Sequence, residues 1–223
     1  MQYDEIEVLE VDRDGETLVE KLREEGHIYS SKVARAFRAV PRERFVPEEV
    51  RDRAYDDVPL DIGEGQTISA PHVVADVTEL LELKAGRKVL EVGTGSGYHA
   101  AITAEIAGAS GVFTIERLPS LAKTARANLD DVGYDDVSVI IGDGSRGLSG
   151  IDPFERIYLT CAVSDVPEPL IEQLADGGRI VAPIGYDAQR LVVIEKRGDR
   201  VERTPYGMVQ FVPLVGDYGV EAE

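Results

Sequence analysis

Apolar and polar residues alternate along the chain in two different rhythms. Up to about residue 86 the spacing is helical. Gly15–Glu25 and Ser31–Val40 carry apolar residues at helical intervals and predict two short amphipathic helices. Pro41-Arg42-Glu43-Arg44-Phe45-Val46-Pro47 is a proline-bounded break, and Glu48–Ala54 predicts a third short helix. Asp61–Gln66, rich in glycine and acid, reads as a loop. Pro71–Leu83 predicts a helix with Val73, Val74, Val77, Leu80 and Leu81 on its apolar side, stopped near Gly86. Residues 1–13 carry little pattern and fit a frayed extension or an added edge strand.

From Arg87 short apolar runs alternate with helical patterns. Strands are predicted at Lys88–Val92, Gly111–Ile115, Val137–Ile141, Arg156–Thr160 and Arg179–Pro183. Helices are predicted at Tyr98–Ala107, Pro119–Leu129 and Pro167–Leu174. Leu191–Glu195 and Met208–Leu214 read as closing strands, paired as an antiparallel edge hairpin because no helix separates them. Such alternation predicts a mostly parallel sheet with helices on both faces. The chain divides into a helical segment over residues 1–86 and an α/β core over 87–223, packed as one compact unit.

Composition narrows the class. Of 223 residues, 43% are hydrophobic, enough for a core. No apolar run is long enough for a membrane span, and the first residues lack the pattern of a signal peptide. One cysteine, Cys161, excludes a disulfide framework, and three scattered histidines predict no metal site. A cytoplasmic monomer is expected. The net charge is −18, with six lysines and eighteen arginines. So acidic a surface repels phosphate backbones and argues against nucleic acid. It also fits adaptation to high salt, where screening weakens self-repulsion.

Candidate chemistry collects where strands end. Val89-Leu90-Glu91-Val92-Gly93-Thr94-Gly95-Ser96-Gly97-Tyr98 runs from a strand through three alternate glycines into a helix start. Such a turn lets backbone lie against a ligand and points free N–H groups at it. Open α/β sheets bind ligands beyond the carboxyl ends of their strands. That rule adds Glu116, for ribose hydroxyls, and Asp143, for an adenine amino group, and also Thr160–Asp165. Gly95-Ser96-Gly97-Tyr98-His99-Ala100 fits the dinucleotide pattern, so NAD is one reading. The leading acid Glu91 and the long segment before the first strand weigh against it, and the acid-leading run resembles the first motif of S-adenosylmethionine-dependent methyltransferases.

Further motifs narrow the choice. Val40–Pro47, Gly65-Gln66-Thr67-Ile68-Ser69-Ala70-Pro71-His72, the glycine run, Gly142-Asp143-Gly144, Leu170–Gly178 and Phe211-Val212-Pro213-Leu214 follow in that order. Together they resemble the protein-L-isoaspartate O-methyltransferase family over about Leu18–Leu214. The resemblance implies a Rossmann-like class I methyltransferase fold. It also implies methyl transfer from S-adenosyl-L-methionine to isoaspartyl residues of damaged peptides and proteins. Ser69 is then the active-site residue, placed to orient the substrate carboxylate. The cofactor set is Thr67, Ile68, Glu91, Gly93, Thr94, Gly95, Ser96, Gly97, Glu116, Arg117, Asp143 and Gly144. Gln66, Ser69, Thr160, Ala162 and Val163 form the substrate set. The chain reads Thr160-Cys161-Ala162-Val163-Ser164 where the family usually reads Thr-Ala-Ala-Ala-Pro, a change expected to reshape the substrate wall. Two other readings stay open: another acceptor on the same fold, or a binding protein that kept the fold. His99 and Cys161 read as packing residues, and His72 either as a capping or packing residue or as a contact to the site.

Overall fold

The computed structural model describes residues 13–221. The expectation for residues 1–12 therefore lies outside the described residues. The chain opens with helices α1 (Arg13–Glu24) and α2 (Ser31–Ala39). Ser30 caps α2 by accepting a 3.3 Å hydrogen bond from Val33 N, as a hydroxyl before a helix should. Val33, Ala34, Ala36 and Phe37 then face inward. Arg42–Phe45 and Glu48–Arg53 are 3-10 turns, so the third predicted helix is only a tight turn.

Asp61–Gln66 is not a plain loop. It lies in an antiparallel hairpin of β1 (Leu60–Gly63) and β2 (Gln66–Ile68). Glu64 and Gly65 connect the strands with φ of 54° and 68°. Positive φ at both residues is what a two-residue hairpin turn needs. Helix α3 (Pro71–Leu81) follows with proline in its first turn, and ends where Glu82 takes φ 48°.

The core sheet is built from β3 (Val89–Val92), β4 (Val112–Glu116), β5 (Ser138–Ile141), β6 (Phe154–Leu159), β7 (Leu174–Ile184), β8 (Gln189–Arg197) and β9 (Arg200–Val209). Helices α4 (Tyr98–Ala107), α5 (Pro119–Asp131) and α6 (Glu168–Glu172) interrupt them. The strand order is β5-β4-β3-β6-β7-β8-β9. The first five are mutually parallel, while β8 and β9 run antiparallel. The mostly parallel sheet with an antiparallel edge is as expected.

Side chains alternate across the sheet. Val89 and Tyr158 join one apolar cluster, which takes in Val19, Leu22, Phe37 and Ile102 of the helices. Leu90, Val92, Ile157 and Leu159 join the other, with Leu170 of α6 and Leu214. The edge differs from expectation. Strand β9 spans Arg200–Val209 rather than Met208–Leu214. Gly198, at φ 59°, reverses the chain directly after β8. Residues 210–214 then leave the edge and return across the sheet. Ala162 N donates to Val212 O and Leu214 N donates to Ala162 O, each at 2.8 Å. Gln189 secures the crossing by accepting from Phe211 N at 2.6 Å and donating to Phe211 O at 2.9 Å. The exposed edge carries Arg200, Glu202, Arg203 and Pro205, residues that discourage pairing with another chain.

Candidate active site

An open cleft of about 930 Å³ lies at the carboxyl ends of β3, β4 and β6. Gly93, Gly95 and Gly97 have φ of 98°, 55° and 92°, a path that other residues rarely follow. The turn is held from both sides. Glu116, closing β4, accepts from Gly95 N and Leu118 N at 3.0 Å each. Thr160, following β6, donates to Gly93 O at 2.6 Å. A Cβ at Gly93 would collide with Thr160 Oγ1. The hairpin β1–β2 closes over this turn, and a Cβ on Gly95 would already touch Ile62 at 3.4 Å.

Glu91 forms the floor. It is completely buried. Thr114 Oγ1 donates to its Oε2 at 2.6 Å, and Thr94 Oγ1 lies 2.6 Å from Thr114 Oγ1. Its Oε1 has no hydrogen-bond partner. Burial pushes the carboxyl up to about 8; the Thr114 and Tyr158 hydroxyls oppose the rise and the charge of Glu116 adds to it. At neutral pH the group is therefore mostly protonated. Glu91 carries a negative charge only when a cation lies beside it.

The cleft unites most of the expected residues. Gln66, Thr67, Ile68 and Ser69 form one wall; Gly93–Ser96 and Glu91 form the base; Glu116, Arg117, Gly144 and Thr160 complete the far side. Four residues fall outside it. Gly97 packs against α5, where a Cβ would come within 3.2 Å of Leu129. Asp143 is engaged elsewhere, accepting from Ser145 N and Ser145 Oγ and, from the C-terminal segment, Asp217 N. Partial burial opposes its ionisation, yet these donors and Arg146 hold its carboxyl below the usual range. Ala162 and Val163 are 0% and 1% exposed and line no part of the cleft. Val163 points into the apolar cluster with Leu159 and Leu170. Their place in the wall is taken by Val212–Val215, of which pattern reading placed Val212–Leu214 in an edge strand. The Phe211–Leu214 motif was the available signal for it.

Two further residues lining the cleft, His99 and Cys161, are buried. His99 is buried with Nε2 3.1 Å from Thr78 Oγ1, its ring 4.4 Å from that of Tyr158. Burial pushes it down to about 3, so it is neutral. Cys161 borders the cleft, but burial and the nearby carboxylates push its thiol far up, which leaves it unreactive. His72 lies off the cleft and turns Nδ1 to Asp57 at 2.8 Å.

Comparison with known proteins interprets this arrangement. The sequence model of the family described as protein-L-isoaspartate(D-aspartate) O-methyltransferase matches residues 13–219. The chain belongs to this family. Among its relatives is protein-L-isoaspartate O-methyltransferase 2 of Archaeoglobus fulgidus, 53% identical over 216 residues, 96% of this chain and 98% of the relative. The enzyme of Hyperthermus butylicus is 54% identical over 213 residues, 91% of this chain and 88% of the relative. A solved protein-L-isoaspartate O-methyltransferase superposes with a TM-score of 0.84 at 30% identity, covering 92% of this chain and 67% of its own. A putative family member from Plasmodium falciparum, solved with S-adenosyl-L-homocysteine, gives a TM-score of 0.81 at 26% identity over 90% of this chain and 98% of its own.

Two features of the cleft fit such a cofactor. The glycine turn leaves backbone open to contact, and the orphaned Glu91 Oε1 awaits a donor such as an ammonium group.

Proposed function

We propose that this protein transfers the methyl group of S-adenosyl-L-methionine to the free carboxylate of L-isoaspartyl residues, an act of protein repair. The observation that carries this reading is the cleft itself, where Ser69 shares one cavity with the glycine turn and Glu116. Thr67, Ile68, Gly93–Ser96, Glu116 and Arg117 would hold the cofactor, with Glu91 beneath it and Gly144 behind. When bound, S-adenosylmethionine supplies an electrophilic methyl on a sulfonium that becomes a neutral thioether as the substrate oxygen takes the methyl.

The chain's own residues have a correspondingly modest task. A substrate carboxylate has a reference pKa near ~4 and is ionised at neutral pH, so no base is required. His99, turned to Thr78 and pushed down to about 3 by burial, is too weak a base to serve as one, and the Cys161 thiol stays protonated. Ser69 Oγ makes no hydrogen bond among the described residues and can donate to the incoming carboxylate. Glu116, Thr160 and the covering hairpin preset the turn, and alignment of this kind can supply on the order of 7–11 kcal/mol. Val163 packs inward and lines no part of the cleft, so its side chain does not itself meet the acceptor.

The test is methyl transfer from labelled S-adenosylmethionine to an isoaspartyl peptide and to its normal aspartyl twin. Label in the isoaspartyl peptide alone is expected. Equal labelling of both, or of neither when the cofactor is bound, overturns the assignment.

The reading extends to a cytoplasmic, salt-adapted protein acting as a monomer. Among the described residues no helix is long and apolar enough to cross a membrane. With a net charge of −18, self-repulsion opposes the compact state and salt screens it. The melting midpoint is expected to rise between dilute buffer and molar potassium chloride. An unchanged or lower midpoint contradicts the salt-adapted reading.

A further inference from the structure

Arg42 is 0% exposed, the bulkiest of the fully buried side chains. Its position is odd for an arginine. No carboxylate pairs with it among the described residues, and Nη1 lacks a hydrogen-bond partner. A buried cation without a counter-ion is costly, and an apolar side chain would fill the same space more cheaply. What the guanidinium holds accounts for it. Nε donates to Ala54 O at 2.8 Å, and Nη2 donates to Ser69 O at 2.7 Å. The central carbon lies 4.8 Å from the centroid of the Tyr98 ring. Tyr98 is the first residue of α4, directly after Gly97.

Three parts of the chain therefore meet on one planar group. Ala54 closes the second 3-10 turn, Ser69 joins β2 to α3, and Tyr98 follows the glycine turn. No other hydrogen bond of Ser69 is found among the described residues. We infer that Arg42 is a positioning residue: its guanidinium sets Ser69 at a fixed height above the glycine turn by spanning the Ser69 and Ala54 carbonyls across the face of Tyr98. The inference rests on the proposed role of Ser69.

Lysine cannot replace it. An ammonium keeps the charge but brings a single nitrogen, without the planar spread that reaches two carbonyls and stacks on a ring. In Arg42→Lys the kcat for an isoaspartyl peptide is expected to fall on the order of tenfold to a hundredfold, the scale of a small misplacement of reacting groups. Affinity for S-adenosylhomocysteine, measured by calorimetry, is expected to change far less. Should Arg42→Lys melt below the assay temperature, Arg42→Gln, which removes the buried charge and retains an amide donor, takes its place.

The deciding measurement is a double-mutant cycle with Ser69→Ala, with kcat scaled to folded protein. If Arg42 acts through Ser69, the double variant is no slower than the slower single variant. A purely structural Arg42 gives multiplying losses, and that outcome overturns the inference. Wild-type kcat in Arg42→Lys beside a slow Ser69→Ala overturns it too, while leaving the role of Ser69 intact. Wild-type kcat in Ser69→Ala removes the role of Ser69, and the inference with it.

Discussion

Gly93→Ala loses measurable affinity for S-adenosylhomocysteine and unfolds at lower denaturant. Both losses have the same origin. Gly93 sits at φ 98°, outside the conformations that an L-residue adopts without strain. The new methyl would also occupy the position of Thr160 Oγ1. Thr160 must then turn away, breaking its 2.6 Å hydrogen bond to Gly93 O. Strain of about 1–3 kcal/mol and a lost buried hydrogen bond of about 1 kcal/mol give a destabilisation of roughly 2–4 kcal/mol. Gly93 N also pairs with Ile115 O at 2.9 Å, so relaxation of the turn pulls on the parallel pairing of β3 with β4. Urea denaturation and calorimetric titration check the two losses. Wild-type affinity at a wild-type midpoint would show that the turn tolerates a side chain and that its glycines are incidental.

The second large effect concerns Glu91 and pH. Its carboxyl is raised from 4.5 to about 8 by burial. The native state therefore holds this proton more tightly than the unfolded chain. The stability that Glu91 contributes is complete below about pH 4.5 and is lost as pH rises toward about 8. Each unit of displacement is worth about 1.4 kcal/mol, so the loss amounts to several kcal/mol. Glu91→Gln keeps a neutral acceptor for Thr114 and has nothing to titrate. The gap between variant and wild-type melting midpoints should widen in the variant's favour from pH 5 to pH 8. Cofactor binding responds in the opposite sense. An ammonium beside Oε1 favours the ionised carboxylate, so wild-type affinity should rise from about pH 6 to about pH 7.5, below the titration of an α-amino group. In Glu91→Gln that rise should vanish and overall affinity should drop. Parallel pH profiles in the two proteins would remove Glu91 from the cofactor site.

The heart of the site was legible because it is written in short-range pattern. Val89–Val92 is an apolar run ended by alternate glycines, and Glu116 closes the neighbouring run, so both fall at strand ends by counting. The misreadings have physical causes. Glu64 turns the hairpin at positive φ, a conformation that residue rarely takes, and strands of four and three residues carry too little alternation to notice. Strand β9 exposes nearly every side chain, so no apolar face marks it. Proximity to a strand end did not say that Ala162 and Val163 would turn inward, or that Val212–Val215 would line the cleft. Arg42, in a turn between prolines, went unremarked, because nothing local announces that two distant carbonyls and a ring will close over it.

The return of residues 210–214 to Ala162 has a temporal consequence. A ribosome makes Ser69 and the glycine turn early, but the wall at Val212–Val215 emerges only after all seven strands. All seven strands can be in place while the cleft still gapes on one side. A chain cut off after Val209 would carry all seven strands yet lack the Val212–Val215 wall of the cleft.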